Sequence, residues 1–141
     1  MTWKIDFYRE SNLDIPLDKT AVRKMIVAVM KDLGQAEFFI NIISFEDEAL
    51  REMKKQYFDM DVYTDIISFN IDEDPLEGEL YISPERITKN AEKFGQEIKR
   101  EFARILIHGA CHLCGYDDVS DEEKAEMTAL EDRFLTQYFD K

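Results

Sequence analysis

The sequence predicts an α+β domain, a small mixed sheet of four strands packed against about five helices. Three observations carry this. Two runs rich in β-branched and aromatic residues, EFFINIISF at 37–45 and DIISFNI at 65–71, read as strands. Ile98, Phe102, Ile105, Gly109 and Leu113 recur at helical spacing. The elements then fall in the order β-α-β-α-β-β-α-α-α, in which strands and helices alternate before the chain turns wholly helical. The 141 residues are enough for one domain, 1–141, with a real core.

Each element has a local reason. Residues 3–7, WKIDF, alternate apolar and polar as a half-buried strand does. Asp18 caps a helix whose apolar face is Val22, Ile26, Val29 and Leu33, and Gly34 ends it. The strand at 37–45 is buried, and a charged helix over about 46–57 follows it. The strand at 65–71 leads into DEDPLEG, a turn, and then into ELYIS (79–83), a strand placed to pair with it as a hairpin. After Pro84 a short helix runs to 94, where Gly95 stops it, and the long helix continues to Gly115. Ser120 with Glu123 is a capping box opening a last helix. The inward face of that helix is Met127, Leu130, Phe134 and Tyr138.

Composition narrows the function. The chain is 45% hydrophobic and 35% charged, which suits a folded soluble domain. Its net charge of −13 argues against broad electrostatic capture of nucleic acid. The charge is unevenly spread, however. Acids dominate from Asp117 to Asp132, against a single base at Lys124, whereas bases outnumber acids from Arg86 to Arg104. A local basic surface on an acidic protein is therefore allowed. The longest apolar run, Met25 to Met30, is far short of the roughly 20 residues that span a bilayer. The opening MTWKIDFYRE carries no apolar core of a secretory signal, and two cysteines three apart make no disulfide framework. These features place the protein in a reducing cytoplasm.

Residues 108–118, HGACHLCGYDD, hold both histidines and both cysteines. On a helix His112 falls about 40° from His108, one turn along the same face. Two imidazoles at i and i+4 can grip one ion. Gly115 ends the helix and lets the chain return, bringing Asp117 or Asp118 to the same place. Two nitrogens, a carboxylate oxygen and a position left for water is the arrangement of a catalytic rather than a structural zinc site. The plain rival is a pair of histidines satisfied by ordinary hydrogen bonds. The cysteines do not complete a Cys₂His₂ set, because Cys114 lies about 240° round from His108. A redox dithiol is weak too, since that motif starts a helix and here it closes one. Small core thiols are the expected reading. Gly109 stands where the zinc peptidases place a glutamate base, so the sequence argues against peptidase chemistry of that kind. A glycine there leaves room for a packed neighbour or a close substrate.

With these residues in view, the sequence resembles the YbeY family, metal-dependent endoribonucleases of ribosomal RNA maturation. The family signature H-G-x-x-H-L-x-G-Y-D-H matches residues 108–118 at every fixed position except the last, where Asp118 stands for histidine. TDIISF (64–69) is similar to the family's T-D-V-L-S-F strand and GELYIS (78–83) to its G-D-I-x-I-S strand. The resemblance covers nearly the whole chain. It implies a metal held by His108, His112 and Asp118 at the end of the central helix. It implies Zn²⁺ as the ion, with Ni²⁺, Fe²⁺ or Mn²⁺ admissible because a carboxylate replaces an imidazole. That exchange lowers the net charge at the ion from about +2 to about +1, which acidifies a bound water less. A second departure lies upstream. Phe58 occupies the position where the family commonly carries an arginine, so a phosphate-holding guanidinium is missing, and Lys54, Lys55 or Arg86 are the candidates to replace it.

The function so implied is metal-dependent cleavage of single-stranded RNA in ribosomal RNA maturation and ribosome quality control. Metal-activated water would be the nucleophile, and Asp117, Ser68 and Asp65 the side chains considered around it, with no general base assigned. The partners implied are ribosomal RNA with a ribosomal protein or an assembly GTPase, and neither DNA nor membrane. Two other readings stay open on the sequence. One is a non-catalytic ribosome-assembly factor with a structural metal, which the acidic balance favours. The other is a small-molecule metallohydrolase or oxygenase using the same ligands.

Overall fold

The structure, a computed structural model describing residues 2–139, follows the expected element order. The strands are β1 (Thr2–Glu10), β2 (Glu37–Phe45), β3 (Ile66–Glu73) and β4 (Leu76–Ile82). The helices are α1 (Lys19–Asp32), α2 (Asp47–Phe58), α3 (Pro84–Lys93), α4 (Ile98–Leu113) and α5 (Asp121–Phe139). The strands form one mixed sheet in the order β1-β2-β4-β3. β1 and β4 both run parallel to the central β2, and β3 pairs antiparallel with β4. β3 is thus a free edge of the sheet.

Local chemistry sets the ends of these elements. Asp18 accepts a hydrogen bond from the Ala21 amide and opens α1. Ser83, expected as the last residue of a strand, instead caps α3 by accepting from the Arg86 amide. The box at the start of α5 closes in both directions, Ser120 Oγ with the Glu123 amide and Glu123 Oε1 with the Ser120 amide. The expected turn over DEDPLEG is much shorter. The ladder runs through Glu73 on one side and from Leu76 on the other, leaving only Asp74 and Pro75 between. A register shift between Asn70 and Asp72 absorbs the difference.

One face of the sheet carries Ile40, Ile42, Leu80 and Ile82, all essentially fully buried. α4 lies across it with Phe102, Leu106, Ile107 and Ala110, and α1 and α5 pack against α4 in turn. The approach of α4 to the sheet depends on two glycines. A Cβ on Gly109 would sit 2.6 Å from Ile66 Cδ1 and 2.9 Å from Leu80 Cδ2, and one on Gly78 would sit 2.7 Å from Leu113 Cδ1. Helix and strand each omit a side chain where the other pushes one in. The room at Gly109 therefore serves a packed neighbour. On the opposite face an aromatic chain runs from Phe45 through Tyr81 to Phe69, where Tyr57 and Phe58 of α2 join it. No helix among the described residues is long and apolar enough to cross a membrane.

Candidate metal centre

The site is built at the C-terminal end of α4. Cys114 closes the helix, Gly115 takes φ +95°, and the Tyr116 amide donates back to the Cys111 carbonyl, so the chain reverses. Asn70 of β3 donates to the Leu113 carbonyl at 2.9 Å and ties this helix end to the edge strand. The reversal carries Asp118 back over the histidines.

Three candidate ligand side chains then meet. His108 Nε2 and His112 Nε2 are 3.0 Å apart. Asp118 places one carboxylate oxygen 3.4 Å from His108 Nε2 and the other 3.5 Å from His112 Nε2. Bonds of about 2.0–2.2 Å to a tetrahedral ion separate neighbouring ligand atoms by about 3.3–3.6 Å. A hydrogen bond between the two imidazoles would account for their own approach. Charge attraction to a protonated His108 would draw Asp118 in as well, and the spacing it reaches from both imidazoles also suits a shared ion. The donor set of two nitrogens and one oxygen therefore fits a divalent cation.

The sequence reading missed Glu131. It is one of few buried charged residues, 6% exposed, and its Oε2 lies 2.6 Å from His108 Nδ1. With Nδ1 engaged there, Nε2 of His108 is turned to the ligand position, as a carboxylate behind a ligand histidine does. Arg104, one turn before His108 on α4, donates to Glu131 Oε1 at 2.9 Å and to Asp132 at 2.8 Å. A signal for Glu131 existed: it stands four residues after Met127 and three before Phe134, inside the predicted inward face of α5. Asp117, the alternative to Asp118 in the sequence, is exposed, and its carboxylate stops 3.9 Å from His112 Nδ1.

Electrostatics separate the two imidazoles. Burial opposes charge on His108, but the Glu131 hydrogen bond and charge, with Asp118 and Asp65 beyond, outweigh it and raise the pKa. Burial and then the neighbouring His108 lower that of His112. The thiols are different. Burial pushes Cys111 up to about 12 and Cys114 to about 11. Both are free, Cys111 fully buried and Cys114 half-buried with Sγ 3.5 Å from Met30 Sδ. Core thiols, not a reactive dithiol, is what this geometry gives.

The ligand group opens into a cleft of about 630 Å³ that wraps the β3 edge. Asp65 and Ser68 both line it, with Lys54 and Phe58 from the end of α2. Ser68 Oγ is buried and has no hydrogen-bond partner among the described residues. Burial raises the Asp65 pKa against the opposing pull of His108. The three candidates for the missing guanidinium are now sorted. Arg86 is spent on the buried Asp47 at 2.6 Å and stacks on Tyr63, Lys55 lies outside the cleft lining, and Lys54 is within it. Of the bases over 86–104, Arg86, Lys89 and Arg104 pair with carboxylates.

Comparison with known proteins agrees with this architecture. The family model described as Endoribonuclease YbeY matches residues 6–139. The chain is 36% identical over 132 residues to Endoribonuclease YbeY of Flavobacterium psychrophilum, covering 93% of this chain and 94% of that protein. It is 41% identical over 130 residues to the protein of the same name from Phocaeicola vulgatus, covering 91% and 94%. The solution structure of TM1509 from Thermotoga maritima shares the fold, with a TM-score of 0.68 at 22% identity, over 96% of this chain and 89% of that one. With a family match spanning almost every residue and relatives aligned over nearly their full length, the chain belongs to the YbeY family.

Proposed function

We propose that residues 1–141 act as one metal-dependent hydrolase domain, an endoribonuclease that cleaves single-stranded RNA in ribosomal RNA maturation and ribosome quality control. His108, His112 and Asp118 are the proposed ligands, and Zn²⁺ the proposed ion, with Ni²⁺, Fe²⁺ or Mn²⁺ as the alternatives a two-histidine, one-carboxylate set accepts. Bound there, a divalent cation supplies Lewis-acid chemistry, polarising a phosphoryl oxygen and acidifying attacking water. The remaining tasks fall to the protein. Glu131 holds His108 with Nε2 toward the cleft, and Arg104 holds Glu131. Ser68, whose hydroxyl has no partner among the described residues, lies on the cleft wall and would reach a phosphate oxygen only by turning its now buried Oγ outward. Asp65, its pKa raised by burial, is the cleft carboxyl suited to carry a proton. Lys54 supplies positive charge for the phosphate backbone. The reading further places the protein in the cytoplasm, with a basic ribosomal protein or an assembly GTPase as partner to its acidic surface.

The observation that carries this reading is the meeting of two imidazole nitrogens 3.0 Å apart with the Asp118 carboxylate, one oxygen 3.4 Å from His108 and the other 3.5 Å from His112, at the mouth of a cleft in a chain of an endoribonuclease family. The test is cleavage of an end-labelled ribosomal RNA fragment by purified protein, by protein stripped with chelator and reloaded with Zn²⁺, and by His112→Ala. Cleavage lost on stripping, restored by the ion and absent from the folded variant supports the reading. Cleavage indifferent to chelator and to His112 refutes it.

A further inference from the structure

We infer that Phe58 and Lys54 form a nucleotide subsite next to the ligand group, where Phe58 stacks on a base of single-stranded RNA and Lys54 pairs with its phosphate. The inference rests on the endoribonuclease reading and adds how the RNA is held.

Position is the first argument. β3 is the free edge of the sheet. The histidines of α4 stand on one side of that edge and the end of α2 on the other, and a single cleft joins them. A strand of RNA lying across the edge with a phosphate at the ligand group brings a neighbouring nucleotide to α2.

The second argument is the state of Phe58. A phenylalanine usually buries its ring, yet this one is 44% exposed at the cleft. It is braced beneath by Phe69, at 5.9 Å between centroids and 25° between planes, and Phe69 leans in turn on Tyr81. A braced, exposed ring is a platform that any base can use, because every base has a π-face. Lys54 supplies the third argument. It stands one helical turn before Phe58, with Nζ 4.7 Å from the Phe58 ring centroid. Among the described residues it forms no ion pair, whereas Arg51, Arg86 and Arg104 are each engaged by carboxylates. In a chain of net charge −13 an uncommitted cation beside an exposed ring suits a phosphate and its base. A phosphate would draw the ammonium off the ring and leave the ring to the base.

The test is fluorescence anisotropy with metal-loaded protein and two 2′-O-methyl RNA ten-mers, one bearing all its bases and one abasic throughout. Phe58→Leu keeps an apolar contact with Phe69 but removes the aromatic face. It should weaken the base-bearing oligomer roughly 5- to 100-fold and leave the abasic one unchanged. Phe58→Trp should restore or tighten binding. Lys54→Ala should weaken both oligomers and reduce the slope of log K against log salt by about 0.7. Wild-type affinity in Phe58→Leu, or equal losses on both oligomers, overturns the subsite while RNA cleavage by the wild type leaves the enzymatic reading standing. Wild-type protein that neither binds nor cleaves RNA overturns both. Circular dichroism melts of each variant separate a lost platform from a lost fold.

Discussion

Glu131 on α5 holds His108 on α4 across 23 positions of sequence, with 2.6 Å between carboxylate and imidazole. The bond presents Nε2 of His108 to its neighbours His112 and Asp118, so the last helix orients the site although it contributes no ligand. Glu131→Gln removes the charge and sets an amide against Arg104. We expect metal affinity to fall about 10- to 100-fold with the fold retained. Competition with a chromophoric chelator measures this directly.

The close seat of α4 on the sheet gives a stability prediction. Gly109→Val drives branched carbons into Ile66 and the fully buried Leu80, which a Cβ alone already meets at 2.6 and 2.9 Å. Overpacking of this kind costs about 1–3 kcal/mol. For a chain of this size each kcal/mol lowers the Tm by about 2–4 °C. Because α4 carries both histidines, metal affinity should fall with the Tm.

Acidity should oppose the ion. In the metal-free protein the pKa of His108 is raised, with burial overcome by Glu131 and Asp118, so the His108–Glu131 pair stabilises the fold fully below about 6.5 and less as pH climbs through the raised value. Metal uptake must expel that proton. Apparent metal affinity should therefore rise steadily from pH 6 to pH 8, and so should the gain in Tm on metal binding. Calorimetric titration at three pH values checks it, and a flat profile would be the contrary result.

Thiol chemistry should be silent. With Cys111 pushed up to about 12 and Cys114 to about 11, little thiolate exists at pH 7.5. The folded protein should react with Ellman's reagent far more slowly than the unfolded chain. Replacing both cysteines with serine should leave RNA cleavage intact, apart from a modest stability loss at the fully buried Cys111.

Where the sequence was legible, the signal was local. The His108–His112 spacing, the stop at Gly115 and the Ser120–Glu123 box all act within a turn or two of helix, and each stands in the structure as read. Asp118 was legible only as one of two adjacent aspartates until the resemblance singled it out. Glu131 was hidden by its setting, a carboxylate in an acidic run whose partner lies on another helix. The hairpin was misjudged for a related reason. Asp72 and Glu73 are polar because β3 is an exposed edge there, so they pair in the ladder while looking like turn. Pairings of β2 with both β1 and β4 are long-range, and no run of residues announces them.

The central claim is that one divalent cation is shared by His108, His112 and Asp118. Elemental analysis of purified wild-type protein beside Asp118→Ala and Asp118→His tests it most directly. The account predicts about one ion per chain in wild type, retention in Asp118→His, which supplies a third nitrogen, and loss in Asp118→Ala after dialysis. Full metal content in folded Asp118→Ala, or none in the wild type after growth and reconstitution with Zn²⁺, would contradict it.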